Sequence, residues 1–361
     1  MIKNNKRLLF RRRNLVFIVL GILAFLWVPP EAIDSSRYYA YGANNINPDL
    51  SLTDFILSNF IVGVDFVYYL FFYWCIKLNL PFQIVTGISI GLLYYQSFVL
   101  MDNIRSKYGI SIIKQDDYLL KIFVILSVSF VTVFGISRNV TALVFFAYGL
   151  NSLIIERYKR AIIFFVIAIF THVGLIIYLT ILLIAFYWRS IHIRNIVVRR
   201  MVLLIITLIG INSYLFMNQL LSNFAKFDFF TVFVYYAKFL NAEGAINVFN
   251  WGLGKWDTLM FFTSATSLFY ALFFIKKYNP VIWICFFFYL WLVISMGFSQ
   301  MFTQRTVIFL ILIQGVAASF FFSQHKNTLT VSIYRVILLF SILAFFLNVY
   351  GYRDAWEFVI P

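Results

Sequence analysis

The sequence predicts an all-α, polytopic membrane helical bundle of about eleven membrane segments, organised as a single transmembrane domain over residues 1–361. Three observations predict it. Hydrophobic residues make up 63% of the chain and charged residues only 12%, where a soluble chain carries roughly a quarter charged residues. Apolar runs near the ~20 residues needed to cross a bilayer as helix recur from end to end. The basic residues collect in alternate connections, which is the signature of cytoplasmic loops.

The elements follow in order. Lys3, Lys6, Arg7 and Arg11 to Arg13 precede an apolar run from Leu15 to Val28. The run resembles a signal peptide, but Trp27-Val28-Pro29-Pro30 stands where a small-x-small cleavage site belongs. It therefore reads as a retained first helix with its basic end inside. Spans are expected at 14–29, 82–101, 119–137, 139–155, 161–187, 201–218, 258–275, 280–298, 306–323 and 331–350. The two longest polar excursions are loops 30–54 and 219–257. The net charge of +15 is accounted for by topology, so no nucleic-acid partner is implied. Cys75 and Cys285 lie inside apolar runs and read as small buried hydrophobes.

Two stretches decide the topology. Residues 55–77 are long enough to span, yet they carry Asn59 and Asp65 and are crowded with Phe, Tyr and Trp. Aromatic residues favour the interface, and an acid at mid-bilayer costs about 2.5–3.5 kcal/mol. Residues 161–187 are too long for one span and have basic groups at both ends, so they are expected to turn back near Thr171-His172-Val173-Gly174 as a hairpin. Each arm would be roughly 18 Å of helix. With 55–77 as an interfacial helix and 161–187 as a hairpin, 21 of the 29 Lys and Arg fall inside. If 55–77 crosses instead, 13 fall inside and 16 outside. The first arrangement satisfies the positive-inside rule.

That topology gathers chemistry on the outer side. Arg138, His172 and Arg305 each interrupt apolar sequence (FGISRNVTAL, AIFTHVGLII, MFTQRTVIFL). Ionisable groups at membrane depth are expensive and usually face a cavity, a partner or a substrate. The plainer alternative for each arginine is snorkelling to headgroups. Converging donors of this kind suit a lipid phosphate or pyrophosphate. Asp34 is a candidate general base or a helix N-cap, and Asp65 is a second candidate acid. Tyr38, Tyr39 and Tyr41, next to Arg37, read as sugar contacts or interfacial anchors. Loop 219–257 adds Lys226, Lys238, Tyr235, Tyr236, Trp251, Lys255 and Trp256. His192 and His325 lie in cytoplasmic basic loops. A glycine-rich phosphate loop, a zinc His-Glu-x-x-His and a Gly-x-Ser-x-Gly elbow are all missing from the sequence, which excludes the chemistries they carry.

The order of these features resembles the EpsG family of Wzy-type polysaccharide polymerases, within the GT-C glycosyltransferase superfamily. Three pieces carry the resemblance: Asp34-Ser-Ser-Arg37-Tyr38-Tyr39-Ala-Tyr41; Ser137-Arg138-Asn139-Val140-Thr141-Ala142 followed by Glu156-Arg157-Tyr158-Lys159-Arg160; and Phe170-Thr171-His172-Val173-Gly174. The family usually has glutamine after the arginine, where this chain has Asn139. Its histidine usually follows phenylalanine directly, whereas here Thr171 intervenes. The resemblance implies a GT-C-like fold and an O-antigen or exopolysaccharide polymerase acting at the periplasmic face of the bacterial inner membrane. Undecaprenyl-pyrophosphate-linked repeat units would be joined, with undecaprenyl pyrophosphate as leaving group. Arg138, His172 and Arg305 would bind the pyrophosphate, Asp34 or Asp65 would be the base, and Arg37 and the tyrosines would orient sugars. The implied partners are the lipid-linked glycans, membrane lipids and a chain-length regulator protein; no cofactor or metal is required. The competing readings are a lipid-linked oligosaccharide flippase and a GT-C enzyme using a polyprenyl-phosphate sugar.

Overall fold

A computed structural model describes residues 15–30, 34–47, 49–62, 65–188, 195–209, 255–298, 305–325, 329–353 and 357–358. The described chain is helical apart from one two-stranded pairing. It divides into two compact units, one of residues 1–111, 130–179 and 352–361, the other of 112–129 and 180–351.

The first unit begins with α1 (Leu15–Leu26) and β1 (Trp27–Val28). It continues with α2 (Asp34–Asn45), α3 (Leu52–Val62), α4 (Phe66–Lys77), α5 (Gln83–Tyr108), α7 (Phe130–Gly135), α8 (Ser137–Ile154) and α9 (Tyr158–Thr171), and closes with β2 (Glu357–Phe358). Local chemistry sets several ends. Ser51 Oγ accepts the Asp54 amide at 3.1 Å, capping α3. Gly109, left-handed at φ 61°, ends α5, with Arg105 and Lys107 in its last turn.

Helices α5 and α8 run parallel. Ser89 pairs with Thr141, Asn151 donates to Gln96, and Lys107 reaches Ile154 and Glu156, so the register advances together along both. One end of this unit therefore holds the start of α5 and of α8, and the other holds Lys107 and Glu156. At the first end Tyr68 of α4 bonds Ser137 at 2.5 Å, while Phe72 of α4 stacks on Phe82, just before α5, at 4.5 Å. Helix α4 thus packs at this end of the unit, and its Phe71 reaches Phe145 of α8. The stretch 55–77, expected as one interfacial helix, belongs instead to two short helices, α3 and α4, with Asp65 directly ahead of α4. The carboxylate of Asp65 is committed to distant partners, described below. In the same region, loop 30–54 contains helix α2.

The expected turn at 171–174 is also present. Phe165 of α9 and Tyr178 lie 5.0 and 6.5 Å from the ring of Phe146, which puts them within about 11.5 Å of each other. On a continuous helix their thirteen-residue separation would be ~20 Å. The chain bends sharply between α9 and α10 (Leu175–Trp188). At the start of the unit, a Cβ on Gly21 would come within 2.8 Å of the Gly87 carbonyl oxygen, so glycine is what lets α1 cross α5 this closely.

The second unit contains α6 (Lys114–Leu126), a helix at 196–209 (α11), α12 (Lys255–Phe274), α13 (Pro280–Phe298), α14 (Leu310–Gln324) and α15 (Leu329–Gly351). Asp116 and Asp117 occupy the first turn of α6, where the helix dipole favours acids. Asn279 caps the Ile282 amide at 2.9 Å beside Pro280, a good first residue for α13. Two polar clusters tie the helix ends together. In one, Asp116 takes a two-pronged pair from Arg335 (2.7 and 3.0 Å). In the other, Ser129 donates to Asn348, and Asn348 to the buried Asp257 (2.9 and 2.6 Å). The C-terminal end of α12 is held by Arg199 and Arg200, which donate to the Lys276 and Phe273 carbonyls, and by His325 on Phe274.

The expected run 119–137 is broken at Ser127–Ser129 into α6 and α7. In this break Ser127 Oγ turns back to the Val124 carbonyl, and its own carbonyl accepts from Ser264. Two helices, Gln83–Tyr108 and Leu329–Gly351, are long and apolar enough to cross a bilayer. Six further apolar helices of the described residues are shorter. Loop 219–254, with Lys226, Lys238, Tyr235, Tyr236 and Trp251, and also His192, lie outside the described residues.

Candidate functional site

The site is built at the end of the first unit where α4, α8 and the α9–α10 bend meet. Asp65 stands immediately before α4, and its backbone carbonyl accepts from the Tyr68 amide at 3.1 Å. Its side chain does not cap that helix. Instead Oδ2 receives Arg138 of α8, and Oδ1 faces Nδ1 of His172 and the amide of Val173, each at 3.4 Å. The three side chains are 10–18% exposed, so the cluster is screened from bulk water yet reachable. Burial alone would raise the carboxyl's pKa. The hydrogen bond from His172, the Arg138 guanidinium and the Val173 amide outweigh it and hold Asp65 below the ordinary carboxylate range. Asp65 is thus a fixed anion at neutral pH.

Local sequence explains how His172 reaches this position. It leaves α9 with extended backbone (φ −160°, ψ 114°), its amide still bonded to Ala168. The carbonyls of His172 and Val173 then start α10 by accepting from Leu175 and Ile176. A Cβ on Gly174 would sit 2.8 Å from His172 Nε2, so only glycine leaves room for the ring in this orientation. Arg138 lies in the first turn of α8. The ring of Tyr38, from α2, covers its guanidinium at 4.5 Å, a cation–π contact. Tyr38 leans edge-on to Tyr68 at 5.8 Å. Ser35 fastens α2 below, donating to the Phe134 carbonyl at 2.9 Å and accepting from the Ser137 amide at 3.4 Å.

The structure therefore brings together Asp65, Arg138, His172 and Tyr38. Tyr39 is used inside the fold: its hydroxyl bonds Thr86 at 2.5 Å, and its ring packs on Phe72 and Phe82. Arg37 is exposed on α2. Asp34 opens α2 and Tyr41 lies within it; their side chains, like those of Lys255 and Trp256, are outside the described residues. Arg305 belongs to the second unit, in a helical turn at 305–307 ahead of α14. Sequence reasoning gave no role to Ser35, Ser137 or Asp257. A lone serine or a terminal acid carries no local signal of the distant group it will meet. No cluster of His, Cys, Asp or Glu able to hold a metal occurs among the described residues.

Helices this apolar are those of a membrane protein, and in this one Arg138 and His172 are gathered on a single carboxylate. The chain belongs to the EpsG family, whose model matches residues 12–361. That family is associated with glycosyltransferase-like polysaccharide polymerases. Neither the curated proteins nor the solved structures contain a match to the chain.

Proposed function

We propose that the protein polymerises polysaccharide by joining undecaprenyl-pyrophosphate-linked oligosaccharide repeat units, at the periplasmic face of the bacterial inner membrane, with a GT-C-like mechanism. The observation that carries the reading is the sharing of one carboxylate, Asp65, by Arg138 and His172 beneath Tyr38. Arginine offers five N–H donors in a planar fork, and the bond to Asp65 uses NH1. The remaining edge is available to a pyrophosphate. The first turn of α8 adds the positive end of a helix dipole.

In this reading the acceptor's sugar hydroxyl attacks the anomeric carbon of the donor glycan. The bond from that carbon to the pyrophosphate oxygen breaks, and its electron pair leaves with undecaprenyl pyrophosphate. Arg138 and His172 stabilise the charge gathering there, with Arg305 as a further cation. The hydroxyl proton passes to a base. Asp65, held strongly ionised by its partners, suits the anchoring role, so Asp34 is the better base. Arg37 and Tyr41 contact sugars. The N-terminus lies in the cytoplasm. Support for this orientation comes from the basic residues 105, 107, 157, 159 and 160, which belong to the C-terminal end of α5 and the α8–α9 turn, the end of the unit away from Asp65.

Complementation of a deletion strain tests the reading. Arg138→Ala and His172→Ala are expected to leave single repeat units in place of a ladder of chain lengths. Normal ladders from both variants would refute it. Loss of even the single repeat unit in the deletion strain would indicate a flippase.

A further inference from the structure

Asn139, next to Arg138, is only 4% exposed, and its Oδ1 is buried with no hydrogen-bond partner among the described residues. An amide buried in this way costs stability unless something else completes its bonding. Its place on α8 is fixed by packing. Helices α8 and α9 are joined by a short turn and run antiparallel, with Phe146 against Phe165 and Tyr148 against Phe164 (5.0 and 5.1 Å). Asn139 lies seven residues before Phe146, nearly two turns along the same face, and His172 lies seven residues after Phe165. Both offsets are ~10 Å of helix. The amide is therefore level with the His172–Gly174 bend and turned toward it.

We infer that Asn139 is a specificity-determining residue that receives a hydroxyl of the sugar directly attached to the pyrophosphate. The chemistry separates it from its neighbours. A neutral amide oxygen accepts and cannot bind a deprotonated phosphate oxygen, whereas a sugar hydroxyl donates to it readily. Arg138 and His172 supply the phosphate-binding donors one residue away in sequence and across the bend. Of the nearby tyrosines, Tyr39 is already bonded to Thr86 and Tyr68 to Ser137. The inference rests on the proposed polymerase reading and adds where the first sugar is recognised.

The test compares wild type with Asn139→Leu and Asn139→Gln in detergent, using two probes: a prenyl pyrophosphate without sugar and the same lipid carrying one sugar. Asn139→Leu is expected to melt no lower than wild type, because it removes an orphaned amide. It should bind the sugar-free probe unchanged and the glycosylated probe about tenfold more weakly. Asn139→Gln, which keeps an acceptor, should recover part of that loss. Equal affinity of Asn139→Leu for the glycosylated probe would overturn the inference. So would an equal loss for both probes, which marks a role in shaping the site. Failure of wild type to bind the sugar-free probe would refute the polymerase reading and this inference with it.

Discussion

Asp116 and Asp65 each pair with an arginine, and the two pairs are built differently. Asp116, in the first turn of α6, is 5% exposed at its side chain and gives both oxygens to the fork of Arg335. The partners come from two regular helices, and one residue satisfies the pair. Asp65 instead sits in a break between helices. It divides its oxygens among Arg138, His172 and the Val173 amide, and leaves part of the Arg138 guanidinium unbonded. A bidentate pair between continuous helices holds helices together. A carboxylate shared by an arginine, a histidine and a backbone amide at chain breaks fixes those groups relative to one another, and in the proposed reading holds them for the pyrophosphate.

The largest effect is expected at the Asp65 cluster. Arg138→Ala should lower polymer formation by at least ~100-fold, the scale of losing a charge-stabilising donor, while the variant still folds; chain-length profiles normalised to membrane-inserted protein measure it. Arg335→Ala should do the reverse. It leaves the buried Asp116 carboxylate without its partly exposed arginine, costing about 2 kcal/mol of stability, between the surface and buried limits for ion pairs. Activity per folded molecule should hold, and thermal melting in detergent reads the loss. Gly174→Ala should lower activity several-fold with little change in melting, because the added methyl displaces the His172 ring and no core contact. The smallest effect is expected from Tyr39→Phe. Loss of the bond to Thr86 should cost about 1 kcal/mol and leave the product ladder intact.

Much of this was legible in the sequence, for identifiable reasons. Charges in apolar runs announce themselves by their cost, which singled out Arg138, His172 and Arg305, and also Asp65; of these, Arg305 belongs to the second unit. The bend at 171–174 was readable because the apolar run exceeded one span and carried a glycine at its middle. Asn59, Asp65 and the aromatic crowding marked 55–77 as unlike an ordinary span, and the structure divides it into two short helices. The pairing of these pieces was not readable. Asp65 meets Arg138 across 73 residues and His172 across 107, and no local pattern encodes such a meeting. Helix α2 was hidden in a polar loop because its Asp-Ser-Ser start and tyrosine run fit a turn equally well. The break at Ser127–Ser129 was hidden because short serines inside an apolar helix give no warning. Tyr39 and Tyr38 are adjacent and chemically alike; only packing sends one into the core and the other over Arg138.

The claim that the Asp65 cluster receives the lipid pyrophosphate is tested most directly by the affinity of purified protein for a prenyl pyrophosphate. Wild type and Arg335→Ala should bind alike once stability is allowed for, and Arg138→Ala should bind at least about tenfold more weakly. Equal binding by Arg138→Ala and wild type would contradict the account.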